Sequence, residues 1–394
     1  MENADIQTVA VIGAGTMGRG IAQVVAVAGF QARLFDASET ALAEAVEGIQ
    51  AGVRKLAEKG RISGDSQTRV ANGLLQPRRH LPEAVSGADL VIEAVPESPE
   101  IKTALFQELR GILQSGQPLV ATNTSTFSIS DLAEISGCPD RFFGLHFFNP
   151  PPLMKLVEVV RGGQTSDAVI DRATAFAKAL GKTPVLAQRD TPGFIVNRIN
   201  AASFALFQNL AERGGHKPET IDAAMRAFGW PMGPFELMDF IGLDVMVAMG
   251  ACFARTLHPD YGPPAHLRRL VEQGMLGRKS GGGYHDWSKG RPQIEANAGS
   301  LPDFEPLDAI LAQSNEAARL IQAGVCSEAD ADLSMKLGNG VARGPVEIGR
   351  TIPPGERESR LIALAARHGL AMLRPGALSP TDGKADPRMK KRLK

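Results

Sequence analysis

The residue types and spacings that invite chemistry lie in Gly144-Leu145-His146-Phe147-Phe148-Asn149-Pro150 and, shortly after, Leu156-Val157-Glu158-Val159-Val160. A carboxylate flanked by four aliphatic residues is costly to desolvate unless it finds a partner. The Pro150-Pro151-Pro152 turn is placed to fold Glu158 back onto His146. Such a pair fixes the imidazole tautomer and makes the other ring nitrogen a competent base. A lone histidine in an aromatic run would read as packed core; with the glutamate the pair reads as a catalytic dyad. The remaining chain must then supply a substrate and an electron carrier.

The elements that would position the dyad begin at the N-terminus. Thr8 to Ile12 is a β-prone run ending in Gly13-Ala14-Gly15-Thr16-Met17-Gly18, with a helical pattern after it up to Gly29. A second strand, Ala32 to Phe35, ends at Asp36. Strand, glycine turn, helix, strand and acidic residue in this order mark a dinucleotide site, whereas an isolated glycine motif would be weak. Gly13 suits the tight turn, Gly15 the close approach of a pyrophosphate, and Gly18 the packing of helix on strand. The helix N-terminus presents unpaired N–H groups to the phosphates. Asp36 is placed for the ribose hydroxyls and would repel a 2′-phosphate, which selects NAD over NADP.

A helix is expected from about Ser38 to Lys59, with Arg54, Lys55, Lys59 and Arg61 near its end. By itself this is a solvated basic terminus favoured by the helix dipole. Asp89 to Val95 is the next strand, a helix follows from Pro99 to Leu113, and the strand Leu119 to Ala121 leads into Thr122-Asn123-Thr124-Ser125-Thr126. Ligands of doubly wound sheets bind beyond the carboxyl ends of strands, which gives weight to Glu97, Asn123 and Ser125. Ser125 reads equally as the N-cap of the helix containing Ile129 and Leu132. A helix from Ser166 to Leu180 and a strand at Pro184 to Leu186 complete this domain.

Beyond Asp190 strand signals fade. Asn197, in an apolar helical stretch, is a buried-polar candidate that serves either core or substrate. Two later segments repeat: Gly214/Gly324, Asp222/Asp332 and Met225/Met335 share one offset of 110 residues, which slips by one at Gly233-Pro234 against Gly344-Pro345. This implies a duplicated helical domain. The position equivalent to Asn197 is Leu307, so the second copy reads as scaffold without chemistry. The expected fold is α/β: a Rossmann-like doubly wound domain over 1–188, then tandem all-helical domains over 189–291 and 292–394.

At 394 residues with 43% hydrophobic content the chain has material for such domains. Its 43 basic and 43 acidic residues balance, which gives no electrostatic reason to expect nucleic acid or an anionic membrane as partner. Cys138, Cys252 and Cys326 are few and dispersed, which fits a reducing compartment and no disulfide framework. No His/Cys spacing suggests a metal site. No window approaches a membrane span and the first strand starts too early for a signal peptide, so a cytoplasmic protein is expected. The basic run from Lys384 to Lys394 reads as a solvated tail.

Several motifs resemble those of the L-3-hydroxyacyl-CoA dehydrogenase family: His146 to Pro150 with Leu156 to Val160, Thr122 to Ser125, Asp190 to Arg198, Pro231 to Leu237, and Gly277 to Tyr284. The match runs from about residue 6 to 287, and the second helical copy resembles the extra C-terminal domain of longer bacterial members. The resemblance implies that His146 removes the 3-hydroxyl proton and that Glu158 orients it and supports the imidazolium. It implies that Ser125 and Asn197 hydrogen-bond the substrate, that Glu97, Lys102, Ser125, Asn149 and Lys279 contact NAD, and that Lys59 contacts coenzyme A. Single-copy members of this family dimerise through the helical domain; here the second copy is expected to occupy that surface, giving a monomer or a homodimer. The site is expected where nucleotide and helical domains meet. Gly283-Tyr284 stands where the family usually has glycine-phenylalanine. Two other readings remain: a dehydrogenase of a free hydroxy or sugar acid, and a catalytically silent NAD-binding protein. Acyl chain length is not legible, although a short chain such as 3-hydroxybutyryl-CoA is favoured.

Overall fold

The computed structural model describes residues 6–113, 117–295, 301–302 and 304–375, and the chain divides at Thr191/Pro192 into two compact units. The basic run from Lys384 onward lies outside the described residues.

In the first unit β1 (Thr8–Ile12), β2 (Gln31–Phe35), β3 (Leu75–Arg78), β4 (Leu90–Glu93), β5 (Leu119–Thr122), β6 (Phe142–Phe147), β7 (Leu156–Arg161) and β8 (Thr183–Ala187) form one sheet. Its order is β3-β2-β1-β4-β5-β6-β7-β8, and every pairing is parallel except β6 with β7. Strands β4 and β5 are buried throughout, which is why they read as unbroken apolar runs rather than alternating ones. The helices of this unit are α1 (Thr16–Val27), α2 (Glu39–Glu58), α3 (Gly64–Arg69), α4 (Leu81–Val85), α5 (Pro99–Leu113), α6 (Ile129–Ser136) and α7 (Asp167–Ala179). Helix α2 starts at Ser38, whose hydroxyl accepts from the Ala41 amide. Its Leu42, Ala45, Ile49 and Val53 recur at helical spacing and enter the same core as Val9, Val11 and Leu34. This is the doubly wound architecture that the alternating strand and helix signals predict.

The second unit carries α8 (Val196–Glu212), α9 (Pro218–Ala227), α10 (Pro234–Ile241), α11 (Leu243–Thr256), α12 (Ala265–Glu272), α13 (Pro306–Gln322), α14 (Glu328–Asn339), α15 (Pro345–Gly349) and α16 (Pro354–His368). Helices α8 and α13 have the same length at the 110-residue offset seen in the sequence. They pack on one another, and the equivalent positions Ser203 and Gln313 hydrogen-bond across the contact at 3.0 Å. The repeat has a physical origin in one carboxylate. Asp222 accepts from the Phe235 and Glu236 amides at the start of α10, and Asp332 accepts from Val346 and Glu347 at the start of α15. Each thereby satisfies amides that a helix N-terminus leaves without partners. A Cβ at Gly233 or Gly344 would fall within 2.3 Å and 2.1 Å of these carboxylates, which explains the recurrent Gly-Pro.

The two helical copies, expected as separate domains over 189–291 and 292–394, form a single unit. Phe204, Phe207 and Leu210 of the first copy share one core with Ala309, Ala312 and Leu364 of the second. No single helix among the described residues is long and apolar enough to cross a membrane.

The paired carboxylates differ in burial. Asp222 is fully buried and also bonds His285 Nε2 at 2.7 Å, whereas Asp332 is half-buried. Asp222→Ala is therefore expected to destabilise the protein by about 3–5 kcal/mol, as for breaking a buried ion pair. Asp332→Ala should cost about 1–2 kcal/mol, as for a lost cap. Denaturant unfolding of both variants checks the ranking, and equal losses would contradict it.

Candidate active site

Strands β6 and β7 run antiparallel, and the turn through Pro150–Pro152 sets a register that places His146 directly opposite Glu158. Side chains opposite one another on such a ladder share a face of the sheet. His146 Nδ1 lies 2.7 Å from Glu158 Oε2, with Glu158 at zero exposure and His146 at 6%. With Nδ1 donating to the carboxylate, the basic lone pair of the neutral imidazole is on Nε2. Phe148 packs against the imidazole with ring centroids 4.6 Å apart. The Phe147 amide donates to Asn123 Oδ1 at 2.8 Å, which ties the end of β5 to the end of β6. Asn123, weighted as a site residue by its position, thus holds two strand ends together.

Ser125 lies in the loop after β5. The helix cap that its sequence position suggested falls instead on Ser128, whose hydroxyl accepts from Asp131. Ser125 is held by Glu97, whose Oε1 accepts from the Ser125 and Thr126 amides at 2.9 and 3.1 Å and from Thr124 Oγ1 at 2.6 Å. Lys102 is 1% exposed and lies between Glu93 and Glu97, 2.7 and 3.1 Å from their oxygens. Burial alone would raise the Glu97 pKa; the Lys102 ammonium and the Thr124 and Ser125 donors more than offset it and hold it low. Burial alone would lower that of Lys102; Glu93 and Glu97 raise it instead. The lysine expected to contact NAD thus stands behind Glu97 rather than at the surface.

The glycine turn fits a dinucleotide. Gly13 has φ +105° and donates to the Phe35 carbonyl at 2.8 Å, so β1 turns sharply beside β2. A Cβ on Gly18 would lie 1.8 Å from the Gly13 carbonyl oxygen, whereas nothing lies within 4 Å of a Cβ on Gly15. Helix α1 begins after Gly15 with no side chain capping it, and Gly15 and Thr16 are exposed. Asp36 accepts from Ala14 N at 2.7 Å and Ser38 N at 2.8 Å, fixing its carboxylate at the tip of β2 beside this turn. Gly13 and Gly18 thus answer a need of the fold, and Gly15 answers none that the fold contains. A bound pyrophosphate over this uncapped helix start would supply one. Ala14 is buried and Met17 half-buried under the same turn.

The other expected residues lie in both units. Lys59 is exposed at the C-terminal cap of α2, and Asn149 is exposed before a cis Asn149-Pro150 bond. In the helical unit Lys279 pairs with Asp244 at 2.5 Å. Asn197 is the second residue of α8 and is half-buried. The core role that its apolar context suggested belongs to Asn200, which is 5% exposed and bonds Asn339 and Gln313. Sequence spacing passed over Glu93, although a carboxylate ending the apolar run Leu90-Val91-Ile92 is the same signal that singled out Glu158.

The glycine pair separates two demands. Gly18→Ala should lower the melting temperature sharply. Gly15→Ala should leave it within about 2 °C while weakening NAD binding by about tenfold or more, the loss expected when phosphate hydrogen bonds are obstructed. Thermal melts and NAD titration by fluorescence check both, and equal NAD affinity in Gly15→Ala would remove the phosphate from that position.

Known proteins match this architecture. The family model for the 3-hydroxyacyl-CoA dehydrogenase NAD binding domain matches residues 8–191, and that for the C-terminal domain of the same family matches residues 193–287. The 3-hydroxyadipyl-CoA dehydrogenase of Escherichia coli K12 is 40% identical over 306 residues, 77% of this chain and 64% of that protein. A probable 3-hydroxybutyryl-CoA dehydrogenase of Deinococcus radiodurans is 42% identical over 70% of this chain and 99% of its own. The crystal structure of 3-hydroxybutyryl-CoA dehydrogenase from E. coli K12 superposes with a TM-score of 0.83 at 30% identity, covering 98% of both chains. That of (S)-3-hydroxybutyryl-CoA dehydrogenase from Ralstonia eutropha covers 72% of this chain and 99% of its own, with a TM-score of 0.66 at 36% identity. The first of these structures covers nearly the whole of this chain and so spans the second helical copy as well. The chain belongs to the 3-hydroxyacyl-CoA dehydrogenase family of NAD-dependent oxidoreductases.

Proposed function

We propose that this chain oxidises short-chain (S)-3-hydroxyacyl-CoA to the 3-oxo thioester, with His146 as general base. The observation that carries it is the 2.7 Å contact of His146 with a fully buried Glu158. Oxidation of a secondary alcohol removes a proton from oxygen and a hydride from carbon. Accepting the C3 hydride is the chemistry that bound NAD would supply. His146 takes the hydroxyl proton at Nε2, and the Glu158 carboxylate at Nδ1 stabilises the imidazolium that results. In the reverse direction the imidazolium returns the proton. Ser125, held by the Glu97 grip on its loop, hydrogen-bonds the reacting oxygen, and Asn197 on the first turn of α8 serves the substrate as the family resemblance implies. Glu97, Asp36, Asn149, Lys279 and the turn from Gly13 to Gly18 serve NAD, with Lys102 acting through Glu97; exposed Lys59 serves the coenzyme A phosphates. A short acyl chain is supported by relatives named for four-carbon and six-carbon dicarboxylic substrates.

His146→Gln is expected to lower kcat by about 10²–10⁴-fold, the range for losing a general base, with NAD affinity nearly unchanged. Turnover close to that of the unsubstituted chain would end this mechanism. NAD reduction across 3-hydroxyacyl-CoAs from four carbons upward, with a dicarboxylic one included, reads the acyl preference. A free gulonate-type acid oxidised in preference to every thioester would select the alternative substrate class.

The helical duplication supports a second part of the proposal, that the second copy covers within one chain an apolar face of α8 that would otherwise seek a second molecule. A chain ending near residue 291 should then gain self-association in light scattering. A truncated chain that stays monomeric argues against this assignment.

A further inference from the structure

A line of charges runs beneath the Ser125 loop, and the proton chemistry of His146 does not use it. Glu93 ends β4 with zero exposure. Its Oε1 accepts from Lys102 Nζ at 2.7 Å and from the Val95 amide at 2.8 Å, and its Oε2 accepts from Thr122 Oγ1 at 2.6 Å. Lys102 reaches in turn to Glu97 Oε2 at 3.1 Å. The other oxygen of Glu97 holds Thr124, Ser125 and Thr126, and lies 3.4 Å from Ser125 Oγ. The grip is on the Ser125 and Thr126 amides and the Thr124 and Thr126 hydroxyls, and the serine hydroxyl itself is only weakly engaged.

These members differ in rigidity. Glu93 is part of a central strand and is fixed on three sides. The lysine ammonium is a point charge on a flexible stem, so its position is set by the anions around it. Glu97 lies beyond the strand end with its side chain 35% exposed. It can pull the loop into place only if its other oxygen is anchored, and the anchor is Lys102. The fixed point of the series is therefore Glu93.

We propose that Glu93 is a positioning residue for the dehydrogenase reaction: through Lys102 and Glu97 it sets the loop that presents Ser125 to the substrate. This rests on the reading given above, in which Ser125 contacts the substrate oxygen. Glu93→Gln keeps the shape and removes the charge. Lys102 then has one full anion in place of two and moves toward Glu97, and the loop loses its register. A misplacement of about 1 Å in a positioning group is worth about 10²-fold in rate.

A double-mutant cycle distinguishes positioning from a merely structural ion pair, using the full chain with (S)-3-hydroxybutyryl-CoA and NAD. Glu93→Gln should lower kcat by about 10–100-fold. Ser125→Ala should lower it too. The double variant should be no slower than Ser125→Ala by more than about threefold, because residues acting as a unit are non-additive. Multiplicative losses, or an unchanged kcat in Glu93→Gln, overturn the proposal. If Glu93→Gln melts below assay temperature, Glu93→Asp, which keeps the charge but withdraws it by one methylene, enters the same cycle with the same two outcomes. A full chain that reduces NAD with no 3-hydroxyacyl-CoA overturns the reaction and the relay together. An active chain with multiplicative losses overturns the relay alone.

Discussion

Glu158 is a carboxylate with no exposure, and its partner His146 faces it across the one antiparallel ladder among the described strands. A parallel neighbour would need a crossover of a dozen or more residues, usually through a helix. Reversing the chain within the short Phe148–Lys155 connection brings the two groups to the same level of the sheet instead. The register admits no slippage, because a shift by one residue would turn Glu158 to the opposite face and leave a buried charge without its partner. The dyad and the sheet thus constrain each other. The apolar run that hides Glu158 also lets a neutral imidazole be polarised from one side in a medium where that interaction is strong.

The same device recurs in both units. Glu93 is buried with Lys102 and Thr122. Glu316, also fully buried, pairs with Arg198 and Arg319 and accepts from the Tyr261 hydroxyl at 2.9 Å. Asp239 accepts from the Tyr284 and His285 amides and from Trp287 Nε1, and a Cβ on Gly283 would stand 2.1 Å from it, which accounts for glycine there. Desolvating such a carboxylate is recovered only when its lone pairs are filled. Glu93 and Glu316 are each filled by donors from more than one element, so each also fixes the relation of those elements. That is a gain in specificity beyond any gain in stability.

How much of this was legible in the sequence follows from the range of each interaction. Most strand and helix positions, the glycine turn and Asp36 depend on neighbours close in sequence, and they were readable; the edge strand β3, whose Leu75-Gln76-Pro77-Arg78 carries little apolar pattern, and the short helices α3 and α4 were not. The His146–Glu158 pairing was readable because a proline turn joins the two segments. Glu93 carried the same buried-carboxylate signal, but its partners arrive from α5 and β5, and no spacing announces them. For Asn197 and Asn200 the failure is different. Both lie in one apolar helix start, and only the packing of α13 decides that Asn200 faces the core. The domain count failed for a related reason: a repeat in sequence reports common descent of two segments, whereas the shared core of Phe204, Ala309 and Leu364 is a property of how they pack.

The two helical copies have diverged in a way that bears on α8. Offset by 110 residues, Arg198 corresponds to Asp308, and Glu316 corresponds to Leu206. The buried Arg198–Glu316 pair therefore has no mirror-image counterpart, although Asp222 and Asp332 keep theirs. Arg198 directly follows Asn197, so the charge contributed by α13 holds the first turn of α8 in place. The Asn200 contacts with Gln313 and Asn339 add a second hold less than one turn further on. With Leu307 at the position of Asn197, the second copy carries no equivalent polar group of its own. What it kept is the set of side chains that brace the copy that does.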